Sequence, residues 1–163
     1  MGKVAIRRGI EVILGIGEKL PFKESSFDVV LMVTTICFLD DVPAVLKEAY
    51  RVLKINGHIL IGFIDRESPL GKIYEAKKEE SDFYRFASFF SADELGLHLR
   101  EAGFVELSFV QTLFEPTSNI EKRASVKRGC GEGSFVAVRG KRLVYHGHVR
   151  ADDTLSAPYL IDL

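Results

Sequence analysis

Phe27-Asp28-Val29-Val30-Leu31-Met32-Val33 is the stretch that decides the fold. Its apolar residues run on without the in-out alternation of a half-exposed strand. That pattern predicts a strand buried on both faces, as in a parallel sheet covered by helices. The apolar stretch continues to Leu39 and stops at Asp40-Asp41, and Val42-Pro43 follows. Proline suits the first turn of a helix, where its missing N–H is an orphan anyway, and the aspartates suit the positive end of the helix dipole. Val45, Leu46, Ala49, Tyr50, Val52 and Leu53 recur at helical spacing, with Lys47, Glu48 and Arg51 opposite. Asn56-Gly57 closes the helix and turns the chain, and His58 to Ile64 reads as a second buried strand. Strand, helix, strand with short connections is the βαβ unit of a parallel sheet, so the fold class is α/β.

On the N-terminal side, Lys3 to Arg8 reads as the last turns of a helix stopped at Gly9. Ile10, Val12, Ile13 and Leu14 read as a short buried strand ended by Gly15. On the C-terminal side, residues 66–90 change character. Gly71 to Tyr84 is charged and helical in pattern, with Tyr74, Phe83, Tyr84 and Phe86 scattered along it and nearby, and reads as an inserted lid. Ser91-Ala92-Asp93-Glu94 is a capping-box sequence opening a helix that stops at Gly103. Phe104–Leu113 and Ser134–Arg139 read as strands forming an antiparallel pair at the sheet edge, with polar loop from Glu115 to Lys127. Residues 1–140 make the expected domain, and 141–163 is a tail without a clear period.

The composition fits one soluble domain able to bury a core: 163 residues, 47% apolar and 28% charged. A net charge of −1 offers no basic surplus for a phosphate backbone, so nucleic acid is not an expected partner. Lys122, Arg123, Lys127 and Arg128 read as a solvated charged face. Cys37 and Cys130 are too few and too far apart for a disulfide framework or a zinc motif. His146-Gly147-His148 has no partner cluster, and His58 and His98 read as structural, so no metal is expected. No leader pattern and no apolar run of about 18 residues is present, which points to a cytoplasmic setting without a membrane partner.

Several short motifs, in order, resemble the class I S-adenosylmethionine-dependent methyltransferases, in particular the "type 11" methyltransferase domain. Gly15-Ile16-Gly17-Glu18-Lys19-Leu20-Pro21-Phe22 is similar to the family's Gly-Asp-Ala-Glu-x-Leu-Pro-Phe, and Ser26-Phe27-Asp28-Val29-Val30 to its Ser-Phe-Asp-Val-Val. Leu46-Lys47-Glu48-Ala49-Tyr50-Arg51-Val52-Leu53-Lys54 is similar to Leu-x-Glu-x-x-Arg-Val-Leu-Lys, and Ala102-Gly103-Phe104 to the ending of the family's late helix. The resemblance covers about residues 1 to 140. It implies a Rossmann-like, mostly parallel sheet with an antiparallel C-terminal pair. In that fold the first and second strands lie between the third and fourth, and the last strand lies between the fifth and sixth. The resemblance places the first two strands, with their glycine-rich cofactor loop, outside this sequence. Ile10–Leu14 is then expected to pair directly with Phe27–Val33, or a second copy to fill that open edge and make a homo-oligomer.

The resemblance implies S-adenosylmethionine as cofactor, lying across the carboxyl ends of the strands. Ile16, Gly17 and Glu18 match the segment that meets adenine, and Ile16 replaces an aspartate there. Val33 and Thr34 match positions facing the cofactor's amino-acid end. Cys37 and Phe38 match a pair flanking cofactor and substrate, and Tyr74, Tyr84, Phe86 and Phe89 are expected to line an apolar pocket for a small-molecule acceptor. Read from the residues alone, Ile16 and Val33 are core, Thr34 and Thr35 a helix cap, and the aromatics packing beneath the inserted helix. Methyl transfer at a sulfonium is a direct displacement, so no covalent nucleophile is expected. The absent glycine loop implies compromised transfer. The competing readings are a non-catalytic remnant or partner subunit, and, last, a nucleotide-dependent reductase, for which no Gly-x-Gly-x-x-Gly follows a strand.

Overall fold

The computed structural model describes residues 2–114 and 125–143. A short helix α1 (Gly2–Arg7) ends at Gly9, whose φ of +76° is the left-handed conformation that terminates helices. Strand β1 (Phe27–Val33) leads through a 3₁₀ turn (Ile36–Phe38) into helix α2 (Val42–Val52), and strand β2 (Leu53–Ile64) returns parallel to β1. Asp41 caps α2 by accepting from the Ala44 amide at 2.9 Å, with Pro43 in the first turn. Helix α3 (Pro69–Lys77) and a following 3₁₀ turn (Lys78–Glu80) belong to the 66–90 excursion. Helix α4 (Ala92–Glu101) opens with the capping box read from the sequence: Ser91 and Glu94 satisfy each other's backbone amides at 3.2 and 2.9 Å. Strands β3 (Phe104–Thr112), β4 (Lys127–Arg128) and β5 (Phe135–Arg142) complete the sheet.

The strand order is β1-β2-β5-β3-β4. Strand β5 therefore lies between β2 and β3, the arrangement expected of the last strands of the fold. Only β1 and β2 pair in parallel; β2–β5, β5–β3 and β3–β4 are antiparallel. Among the described residues the sheet is thus less parallel than the sequence predicts, because β1–α2–β2 is its one crossover unit.

Helices α2 and α4 cover the same face of the sheet. Val42, Leu46 and Ala49 from α2 and Ala92, Leu95 and Leu99 from α4 close on Ile59, Ile61 and Phe63 of β2 and Val136 and Val138 of β5. Val30 and Met32 of β1 join this core. The alternate residues of β1 do not: Leu31 is 66% exposed, and Val29 and Val33 are each 50% exposed. The expectation of burial on both faces is therefore corrected, since no helix among the described residues packs on the second face. Ile10–Leu14 is also corrected. It forms no strand and does not pair with β1, and Leu14 is 93% exposed. An extended segment with no ladder to join has nothing to offset its loss of conformational freedom. The start of β2 differs too. Helix α2 stops at Val52, and the register jumps from Phe27↔Leu53 to Val29↔His58. Gly57 permits the tight return, because a Cβ there would lie 2.8 Å from the Lys54 carbonyl oxygen and 3.0 Å from that of Asp28.

Of the charged face expected at Lys122, Arg123, Lys127 and Arg128, the last two are exposed and form β4; the other two lie outside the described residues, as does the tail from 144, with His146 and His148. No helix among the described residues is long and apolar enough to cross a membrane.

Residues 15–22 run back along α2 and are fastened by an ion pair on that helix. Arg51 grips Glu48 through two hydrogen bonds of 2.7 and 2.8 Å and donates to the carbonyls of Leu20 and Phe22, while Glu48 accepts the Leu20 amide at 2.9 Å. The Arg51 hydrogen bonds, with help from the Leu20 amide, hold the Glu48 carboxyl at about 2, below its ordinary 4.5. A carboxyl depressed on folding contributes stability that is complete above its unfolded value and lost as pH falls through the folded one. Glu48→Gln is expected to cost about 1 kcal/mol at neutral pH after allowance for solvent screening. Its deficit relative to wild type should shrink between pH 4.5 and about 2. Urea midpoints across that range check this, and a deficit independent of pH would refute it.

Candidate functional site

The parallel pairing of β1 and β2 puts both carboxyl ends at one end of the sheet. There β1 ends in Val33, and Thr34 follows in the left-handed region with φ of 51°. The Thr34 amide donates to the Gly62 carbonyl at 2.8 Å, and the Thr35 hydroxyl to the Val33 carbonyl at 3.0 Å. Thr35 precedes the 3₁₀ turn without capping it through its side chain. Ile36 plugs the turn into the core at 1% exposure, leaving Cys37 half-buried and Phe38 at the surface.

Ile16 to Lys19 form a tight turn, with the Lys19 amide donating to the Ile16 carbonyl at 3.2 Å. Gly17 sits against the first turn of α2. A Cβ there would lie 3.0 Å from the Val45 side chain and 3.8 Å from that of Leu39. Because α2 runs antiparallel to β1, this contact brings Ile16, Gly17 and Glu18 to the carboxyl end of β1, where Val33 and Thr34 lie. Ile16 is 63% exposed, so neither it nor Val33 is a core residue. The Gly17 and Glu18 amides have no hydrogen-bond acceptor among the described residues.

Beside the Ile36–Phe38 turn lies a narrow pocket, about 20 Å³ in its interior and about 350 Å³ with its open mouth. Its floor is Ile36, Phe63 and Ile64; Thr34 and Cys37 stand on one side, and Tyr74, Tyr84, Phe89 and Phe90 on the other. The rings form a connected set. Tyr74 and Tyr84 stack at 5.1 Å, and Phe89 tilts against both at 6.1 and 5.9 Å. Phe38 stacks on Tyr84 at 6.1 Å and meets Phe83 edge-on at 4.9 Å. Of the six residues expected to contact an acceptor, Cys37, Tyr74, Tyr84 and Phe89 line one pocket, Phe38 packs behind Tyr84, and Phe86 is not among the lining residues. Phe63, Ile64 and Phe90 also line the pocket without being among the residues expected there. The signal for the first two was their place at the carboxyl end of β2, where open α/β sheets bind ligands. Phe86 is displaced from the site, capped by Arg85 on the outer surface.

No charged side chain is among the lining residues. Burial pushes the Cys37 thiol up, and it pushes the Tyr84 phenol up with added repulsion from Tyr74 and Cys37. Both groups therefore stay protonated at neutral pH. An apolar, ring-walled opening with a few neutral hydrogen-bonding groups has the chemistry to contact the apolar part of a small molecule at its mouth.

A family profile described as a methyltransferase domain matches residues 2–61. The chain is similar to a solved structure from Thermotoga maritima described as an S-adenosylmethionine-dependent methyltransferase and possible histamine N-methyltransferase. They share 51% identity and a TM-score of 0.85, over 87% of this chain and 69% of that one. It is 46% identical to a Methanocaldococcus jannaschii protein over 88% of its own length and 69% of that protein's. It is 35% identical to a Rickettsia bellii ubiquinone/menaquinone biosynthesis C-methyltransferase, covering 56% of this chain and 45% of that enzyme. Sheet order, motif order and these relatives agree: the chain belongs to the S-adenosylmethionine-dependent methyltransferases, enzymes whose cofactor is S-adenosylmethionine.

Proposed function

We propose that the carboxyl end of β1 is where this chain transfers a methyl group to a small-molecule acceptor. One observation carries the reading: Thr34 of the expected cofactor edge and Cys37, expected between cofactor and substrate, line one pocket with Tyr74, Tyr84 and Phe89 of the excursion. The residues present suit the cofactor. The unengaged amides of Gly17 and Glu18 would hold the adenine side with Ile16 beside them, and the Val33–Thr34 backbone would hold the amino-acid end. Bound S-adenosylmethionine supplies a methyl group already activated on sulfonium. The protein's part is to align the acceptor's lone pair with that methyl, exclude water and offer no competing nucleophile, which the protonated Cys37 and Tyr84 satisfy. The excursion works as a lid, and its rings favour an acceptor with a flat apolar body. The description of the Thermotoga relative supports a small amine among the candidates. Calorimetric titration with S-adenosylhomocysteine tests the site: heat of binding is expected, and none at high ligand concentration would reject it. Tyr84→Ala should raise the KM for the acceptor about tenfold, the equivalent of about 1.4 kcal/mol. The affinity for S-adenosylhomocysteine should stay unchanged, and a parallel loss of both would refute the assignment.

A second observation bears on association. Strand β1 pairs only with β2 among the described residues, and Val29 to Val33 of its free edge carry no charge, proline or bulge. We infer that a second copy pairs there, antiparallel about Leu31. Leu31→Lys should convert a dimer to a monomer in light scattering, and a wild-type monomer at high concentration would refute the inference.

A further inference from the structure

We propose that Arg66 is a positioning residue that latches the 66–90 excursion over the pocket; the inference rests on reading that pocket as the acceptor site. Arg66 stands where the chain leaves the sheet, and it is bonded to the place where the chain comes back. Its amide donates to the Phe90 carbonyl at 3.0 Å. Its guanidinium donates to the Phe89 carbonyl at 3.2 Å and to the Glu94 carboxylate at 2.7 Å. Arg66 does not line the pocket, but the two residues whose carbonyls it holds both do. Tyr74 and Tyr84 lie on the loop that this junction closes.

The partners of the latch are fixed in their turn. Glu94 also accepts the Ser91 amide at 2.9 Å, so it is held by the first turn of α4. On the departing side, the Asp65 carboxylate, 4% exposed as a residue, accepts the Glu67 amide at 3.0 Å. The Ser68 hydroxyl donates to the Asp65 carbonyl at 2.6 Å and accepts the Gly71 amide at 3.0 Å, starting α3. The far wall has one further tie to the sheet end, from the Ser88 amide to the Cys37 carbonyl at 2.8 Å. Between these anchors the aromatic wall is held by ring contacts.

A rigid guanidinium reaches two acceptors at once in fixed geometry; an ammonium or an amide in its place cannot hold both. The Arg66 and Glu94 side chains are 36% and 42% exposed. As a surface ion pair they would add only about 0–1 kcal/mol to global stability. The two roles therefore separate. An ordinary surface pair predicts almost no effect of substitution anywhere, whereas a latch predicts local opening at the pocket with the rest of the fold intact.

Cys37 reports on that opening, because it lines the pocket and its carbonyl carries the Ser88 tie. In a Cys130→Ser background it is the chain's single thiol. Its alkylation by iodoacetamide, followed by mass spectrometry, should run about tenfold faster in Arg66→Gln, the effect of losing one charge-assisted hydrogen bond. Arg66→Lys should fall between Arg66→Gln and wild type. Val52→Ala, a buried truncation in α2 on the far side of the core, controls for global destabilisation. Arg66→Gln labelling at the wild-type rate, or no faster than Val52→Ala, overturns the proposal. The affinity for S-adenosylhomocysteine should be the same in Arg66→Gln and wild type; a loss parallel to faster labelling would place Arg66 in the cofactor site and also overturn it. If wild type binds no S-adenosylhomocysteine, the proposed function fails, and the labelling rates still decide for or against the latch.

Discussion

The parallel pairing of β1 with β2 is the constraint on which the site depends. A parallel pair requires a crossover, and here the crossover is α2, buried through Val42, Leu46 and Ala49. Because both strands run the same way, Val33-Thr34 and Phe63-Ile64 emerge at one end of the sheet. The 3₁₀ turn leaves from the first and the 66–90 excursion from the second, so the two sides of the proposed site meet at that end of the sheet. The Gly62 carbonyl accepting the Thr34 amide carries the pairing to the lip of the pocket.

The second consequence is one-sidedness. Helices α2 and α4 pack on the same face, and β5 inserts antiparallel between β2 and β3 to complete the floor of that core. Arg142 fastens the opposite end. It lies over the Tyr50 ring at 4.9 Å and donates to the Arg51 and Leu53 carbonyls, closing the C-terminus of α2. The other face and the free edge of β1 keep apolar side chains exposed, and from that edge the inference of association arises.

The site was legible in the sequence to different depths. Tyr74, Tyr84, Phe86 and Phe89 are equal candidates in the sequence, because scattered aromatics do not state which face of an excursion turns inward. Packing against Phe63 and Phe90 made the choice, leaving Phe86 outside. Ile16 and Val33 read as core from hydrophobicity alone, and their exposure overturns that reading. Arg66 carried no signal at all, since its role depends on Phe89 and Glu94 being folded back beside it.

By itself the sequence determined the βαβ unit, the acidic start of α2 at Asp40-Asp41, the cap at Ser91, the helix stop at Gly103 and the family, because these rest on local periodicity and short ordered motifs. Tertiary structure decided the rest. A continuous apolar run such as Phe27–Val33 specifies a strand, but which of its faces is covered depends on where helices distant in sequence pack. Ile10–Leu14 has the residues of a strand and is none, because a strand exists only through a neighbour that the local sequence does not contain.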